Sequence, residues 1–183
     1  MNEIRDTLNL LEAKNKETLT QVKLPYSHSA LAPAMSKTLV DYHYGTLYKG
    51  YVDRFNKGEG DPDFNEAGAY LHGVFFSQFD STGKSSRAPT GLILSLIERN
   101  HKSFADFKTT FKEETLKLQG SGWVYLSKSG QIKTIHNHAK RTDIAFLVDM
   151  WEHAYNLDYH ANKEKYLNNI WRIVDWATIN QRL

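Results

Sequence analysis

The hexapeptide Gly58-Glu59-Gly60-Asp61-Pro62-Asp63 falls between two helical patterns and limits the folds open to this chain. Its glycines, proline and acidic turn residues cannot continue a helix. Before it, Leu39, His43 and Leu47 recur at helical spacing, as do Tyr44, Tyr48, Val52 and Phe55, and Ser36 is a good N-cap. After it, Phe64, Ala67, Leu71, Phe75 and Phe79 form one stripe, with His72 and Phe76 beside it. Helices over about residues 36–56 and 64–79, joined by so short a connection, pack antiparallel as a hairpin.

A polar, breaker-rich segment, Asp80 to Thr90, then separates the hairpin from a second region. That region opens with helical patterns over Gly91–Asn100 and Ser103–Gln119, the latter with a capped start at Ser103-Phe104-Ala105-Asp106. Three strand candidates follow, Trp123–Ser127, Gln131–His136 and Ile144–Val148, the first two joined through Lys128-Ser129-Gly130. Helices over Lys163–Ile173 and Asp175–Gln181 close the chain. The order of elements makes this an α+β fold: an N-terminal helical hairpin, then a C-terminal domain with a three-stranded antiparallel sheet flanked by helices. Upstream, Ile4, Leu8, Leu11 and Leu19 suggest a short amphipathic helix over residues 2–19, and Leu24-Pro25-Tyr26 and Leu31-Ala32-Pro33 punctuate an extended segment.

Composition excludes several kinds of chemistry. The 183 residues contain no cysteine, which removes disulfides, thiolate metal sites, iron–sulfur clusters and cysteine nucleophiles. A net charge of +2 argues against nucleic-acid binding by phosphate neutralisation, although a local positive funnel for a small anion is compatible with it. No apolar run approaches the roughly 18 residues of a membrane span. The N-terminus mixes acids and bases without the apolar core of a signal peptide, so the expected location is the cytoplasm.

The chemistry concentrates at Asp149-Met150-Trp151-Glu152-His153-Ala154-Tyr155, which follows the apolar run Ile144–Val148. If the chain turns helical there, Asp149 and His153 share one side of the turn, with Trp151 and Tyr155 supplying bulk against water. A hard oxygen ligand and a borderline nitrogen ligand together suit first-row transition metals. An Asp capping a helix near a buried His has the same spelling, so further ligands are required. His43 and His72, each mid-helix in the hairpin, are the candidates, although a lone histidine so placed is usually a hydrogen-bonded core residue. Three imidazoles and one carboxylate fit iron, manganese or zinc, and the lack of thiolates disfavours a structural zinc site.

These residues carry a resemblance to the iron/manganese superoxide dismutase family over about Leu24 to Leu183. Asp149–Tyr155 is similar to that family's D-x-W-E-H-A-Y motif. Leu24-Pro25-Tyr26 and Ala30-Leu31-Ala32-Pro33 resemble its N-terminal segment, Tyr42-His43-Tyr44-Gly45 with Tyr51-Val52 its first helix, and Ser121-Gly122-Trp123 its first strand. The resemblance implies an oxidoreductase, an antioxidant homodimer that converts superoxide to dioxygen and hydrogen peroxide. Its cofactor would be one iron or manganese ion per subunit, cycling between trivalent and divalent states. The ligands would be His43, His72, Asp149 and His153, with solvent as a fifth. Tyr51 would be the active-site tyrosine. Gly68 matches the manganese type, and His138 stands where a side chain hydrogen-bonded to the bound solvent is expected. Glu152 would bond the ligand histidine of the second subunit, so the dimer would form through Glu152 and His153. The implied division is an extension over residues 1–20 outside the resemblance, a hairpin domain over 21–87 and an α+β domain over 88–183.

The chain departs from the family at Leu47 and Tyr48, where a pair of histidines is usual. It departs also at Asn156, where a tyrosine is usual, and at Phe76, where a tryptophan is. The expectation is an atypical substrate gateway with altered proton supply around an intact ligand set. A non-catalytic binding or structural protein on the same fold is the alternative, and a metal-dependent hydrolase fits the aromatic surroundings less well.

Overall fold

A computed structural model describes residues 18–81 and 88–183. The amphipathic segment expected over residues 2–19 lies, up to residue 17, outside the described residues, as does the middle of the Asp80–Thr90 segment. The hairpin begins with α1 (Lys37–Tyr42), capped by Ser36 Oγ, which accepts from the Leu39 N–H. It continues through a π turn (His43–Tyr48) into α2 (Lys49–Lys57), which ends at Gly58 in the left-handed conformation. Asp61 caps α3 (Pro62–Ser77), with Pro62 at its first position.

The π turn is the main departure from the expected helix. Uniform helical spacing puts Leu47 on the same stripe as His43. The wider turn instead aligns residues five apart, so Tyr48 is buried with His43 and Leu47 is left half-exposed.

The second region contains α4 (Gly91–His101), α5 (Phe104–Leu116), β1 (Gly122–Ser127), β2 (Ile132–His136) and β3 (Ile144–Asp149). A single 3₁₀ turn (Glu152–Ala154) and the short helices α6 (Asn156–Tyr159), α7 (Lys163–Ile170) and α8 (Trp176–Asn180) complete it. The antiparallel sheet has the order β2-β1-β3, with Trp123 of β1 opposite Ile135 and Asp149. Every residue of β1 and β3 is buried, because α3 covers one side and the aromatic cluster Phe107, Phe111, Phe146, Trp171 and Trp176 fills the other. Among the described residues no helix is long and apolar enough to cross a membrane.

Candidate metal centre

Four side chains from four different elements converge where α3 meets the end of β3. Each of His43, His72, Asp149 and His153 offers a ligand atom, and these atoms all lie within 4.8 Å of one another. Asp149 Oδ2 is 3.1 Å from His43 Nε2, 3.3 Å from His153 Nε2 and 3.8 Å from His72 Nε2.

Local structure aims each group. His43 opens the π turn, and its ring packs against Phe75 and Phe76. The His72 Nδ1 donates to the Gly68 carbonyl (2.7 Å); a carbonyl only accepts, so Nε2 keeps its lone pair for the centre. Asp149 Oδ1 accepts from the Trp151 N–H (2.9 Å), and the Asp149 carbonyl accepts from the Tyr166 hydroxyl (3.1 Å), leaving Oδ2 free. Trp151 is extended, so the turn between Asp149 and His153 is a single 3₁₀ turn rather than the expected α-helical one. The i, i+4 pair nonetheless meets.

The fit to a cation rests on those four atoms. His43 Nε2, His72 Nε2, His153 Nε2 and Asp149 Oδ2 are all buried, and none has a protein hydrogen-bond partner. An unsatisfied buried polar atom costs about 1–3 kcal/mol, so four at one point call for something to bind them. With bonds of about 2.1 Å, ligand atoms at 90–180° to one another lie roughly 3.0–4.2 Å apart, close to the spacing found here. Burial holds the His43 and His72 imidazoles below their ordinary pKa and hence neutral, with lone pairs available. Burial opposes ionisation of Asp149, but the neighbouring His153 and His43 rings outweigh it and keep its carboxyl below the ordinary carboxylate range.

Tyr51 and His138 sit beside these four side chains. His138 accepts at Nδ1 from the Trp123 indole N–H (3.1 Å) and meets the Tyr51 hydroxyl at Nε2 (2.9 Å). An indole N–H only donates, so the neutral ring carries its proton on Nε2 and donates it to Tyr51 Oη. The hydroxyl proton of Tyr51 is then available to another acceptor. Burial pushes the His138 pKa down to about 4 and raises that of Tyr51, so both stay uncharged near neutral pH.

The wall around the centre differs in part from the expected one. Trp151 stacks on His138 (4.6 Å) and on His153 (5.6 Å). Tyr155 is buried one layer back, against Tyr166, whose hydroxyl holds the Asp149 carbonyl. Of the departures from the family pattern, Tyr48 stacks on His72 (5.7 Å), Phe76 packs edge-on to His43 (4.9 Å) and Asn156 is exposed at the start of α6. Sequence spacing gives no role to Trp123, fifteen positions from His138, or to Phe64, whose ring lies 4.7 Å from that of His138.

These shifts predict an acid-labile metal-free protein. A histidine in an unfolded chain titrates near 6.5, and His43, His72 and His138 all titrate lower when folded. Below pH ~6.5 the unfolded chain therefore binds more protons, and stability falls as pH drops. Asp149 adds to the fall below about pH 4, where its depressed folded pKa makes the native state the weaker proton binder. The His138 shift alone, from 6.5 to about 4, corresponds to about 3 kcal/mol. Denaturant unfolding of the metal-free chain between pH 7 and 4 should show this loss, reduced in His138→Gln. A flat profile would contradict the burial of neutral imidazoles.

Comparison with known proteins agrees with the geometry. The family model described as iron/manganese superoxide dismutases, alpha-hairpin domain, matches residues 18–69, and that described as the C-terminal domain matches residues 89–182. A "Superoxide dismutase [Fe]" from Bacteroides fragilis is 34% identical over 193 residues, covering 91% of this chain and 100% of its own. A "Superoxide dismutase [Mn/Fe]" from Porphyromonas gingivalis is 35% identical over 188 residues, covering 88% and 97%. A "Superoxide dismutase [Fe]" from Sulfolobus acidocaldarius is 34% identical over 192 residues, covering 88% and 91%. With both domain models matched and relatives aligned over nearly their whole length, this chain belongs to the iron/manganese superoxide dismutase family.

Proposed function

We propose that the protein is a homodimeric superoxide dismutase in which His43, His72, Asp149 and His153 hold one iron or manganese ion per subunit, with Tyr51 and His138 serving proton transfer. The observation that carries the reading is the convergence of four buried, unpartnered ligand atoms within 4.8 Å. When bound, the ion supplies the one-electron redox chemistry, cycling between trivalent and divalent states, that dismutation requires. Neutral His43 and His72 contribute lone pairs without adding charge, and the Asp149 carboxylate offsets part of the cation's charge. Two superoxide ions consume two protons and yield dioxygen and hydrogen peroxide. Tyr51 Oη is the proton donor, held in place by the His138 Nε2–H, which Trp123 orients from behind. Tyr48, Phe76 and Trp151 exclude bulk water.

The choice between iron and manganese is left to the protein's reconstitution. Purified chain stripped of metal and reloaded with each ion should regain superoxide dismutation with at least one of them. A chain that takes up neither ion, or stays inactive with both, would make it a non-catalytic descendant of the fold. Leu47, Tyr48 and Asn156 remodel the gateway, so the rate should depend on pH differently from family members that keep the two histidines and the tyrosine.

The dimer is assigned to the face around Glu152 and His153. Glu152 is exposed in the single chain, and 14% of the His153 side-chain surface remains open, unlike that of the other three ligands. A two-fold contact would let each Glu152 accept from His153 of the partner subunit. Glu152→Ala should raise the dimer dissociation constant at least tenfold, because truncating one partner of a buried charged hydrogen bond costs about 2–5 kcal/mol. Light scattering across a dilution series measures this, and an unchanged dimer would place the interface elsewhere.

A further inference from the structure

Among the described residues neither edge of the three-stranded sheet pairs with a further strand, and the β3 edge is the one that leads to Asp149. β3 lies outermost in the order β2-β1-β3, so the peptide groups of Ala145, Leu147 and Asp149 on its free side need partners from elsewhere. Side chains from three other segments bond the three carbonyls and the Leu147 N–H. Gln78, immediately after α3, lays its carboxamide against Leu147 like a one-residue strand: Nε2 donates to the Leu147 carbonyl (2.5 Å) and Oε1 accepts from the Leu147 N–H (3.0 Å). Arg182, next to the C-terminus, donates to the Ala145 carbonyl (3.0 Å), to Gln78 Oε1 (3.3 Å), and to the Val74 carbonyl (2.8 Å) and Ser77 Oγ (2.9 Å) of α3. Tyr166 donates to the Asp149 carbonyl (3.1 Å).

This seam joins the two ligand-bearing halves. α3 carries His72, and Gln78 follows one residue after its end; β3 ends on Asp149, two residues beyond Leu147. Gln78 is fully buried, and its own carbonyl accepts from the Asp175 N–H (2.8 Å), so the side chain is tethered at both ends. Both amide bonds to Leu147 form only when α3 and β3 stand in one relative position. We propose that Gln78, backed by Arg182, is a positioning residue that sets the separation of the His43–His72 pair from the Asp149–His153 pair and so governs how tightly the metal is held. The inference rests on the four-ligand reading above.

The test uses the full chain loaded with manganese and measures metal release into excess chelator. Gln78→Met keeps the side-chain volume but leaves both Leu147 groups unpaired; Gln78→Glu keeps only the acceptor. Release should accelerate in the order wild type, Glu, Met, with Met about 10-fold faster, the low end of what removing a ligand's direct hydrogen-bond partner costs, because Gln78 acts through Leu147. Phe107→Leu serves as the control. It lies in the aromatic core beside His101, Phe104, Phe111 and Trp171 and lowers stability without touching the seam. Release from the Gln78 variants no faster than from Phe107→Leu would overturn the proposal. If Gln78→Met does not fold, Gln78→Glu and Arg182→Lys carry the same comparison. A wild-type chain that takes up no manganese or iron would instead sink the ligand assignment, which separates the two failures.

Discussion

Replacing Asp149 with Asn is expected to abolish metal binding while leaving the metal-free chain folded. The two carboxylate oxygens do different work. Oδ1 accepts from the Trp151 N–H and shapes the turn that delivers His153, and an asparagine carbonyl can take that bond unchanged. Oδ2 is buried without a hydrogen-bond partner, 3.1 Å from His43 Nε2 and 3.3 Å from His153 Nε2. An amide nitrogen there can donate to one of these imidazole lone pairs, a bond worth about 1 kcal/mol that offsets part of what is lost with the carboxylate. The same change removes the only anionic ligand among three neutral ones, and the loss of affinity should exceed the roughly 10- to 100-fold that an outer-sphere partner is worth. Elemental analysis after reconstitution, with thermal unfolding of the metal-free chain, separates the two effects. A variant that unfolds would make the carboxylate structural. One that retains a full equivalent of metal would remove it from the ligand set.

The contrast between Oδ1 and Oδ2 marks where sequence reading succeeds and where it stops. The clustering of four candidate ligands was accessible because Asp149 and His153 lie within one turn of each other and His43 and His72 sit on helical stripes whose turn, Gly58–Asp63, dictates antiparallel packing. Strands around Trp123 and Ile144 were accessible for the same reason: short apolar runs bounded by breakers. The π turn was not, because Leu47 and Tyr48 are both apolar enough to be buried and only the backbone decides between them. Pairings across long separations were hidden as well. Nothing in the local pattern links Gln78 to Arg182, 104 positions away, or Tyr51 to His138, 87 away. The one available hint was Gln78 itself, a polar residue in Phe75-Phe76-Ser77-Gln78-Phe79 where a buried amide needs a partner. The candidate ligands are therefore picked out by local periodicity together with the family resemblance, whereas the groups that orient them are fixed by tertiary packing.

Gly68 packs directly against the ring of Tyr51, the proposed proton donor, and Gly68→Ala is expected to cut turnover sharply without releasing the metal. A Cβ at this position would stand 2.8 Å from Tyr51 Cδ1 and 2.9 Å from Cγ, inside contact distance of a rigid ring. The ring cannot retreat freely, since His72 (5.3 Å), His138 (4.9 Å) and Phe64 (6.0 Å) surround it. Overpacking of this kind costs about 1–3 kcal/mol and shifts the neighbour rather than the helix. The displaced hydroxyl then loses its 2.9 Å bond to His138 Nε2. Ligation should survive, because the His72 Nδ1–H bonds the main-chain carbonyl of residue 68, which any side chain retains. A positioned proton donor contributes about 10²-fold or more, so turnover should fall toward that limit in Gly68→Ala and equally in Tyr51→Phe. If both variants act through the same hydroxyl, the double variant should be no slower than either single one. Steady-state rates with metal content measured on the same samples decide it: a Gly68→Ala enzyme with wild-type turnover would remove Tyr51 from proton delivery, and additive losses would give Gly68 a role apart from Tyr51.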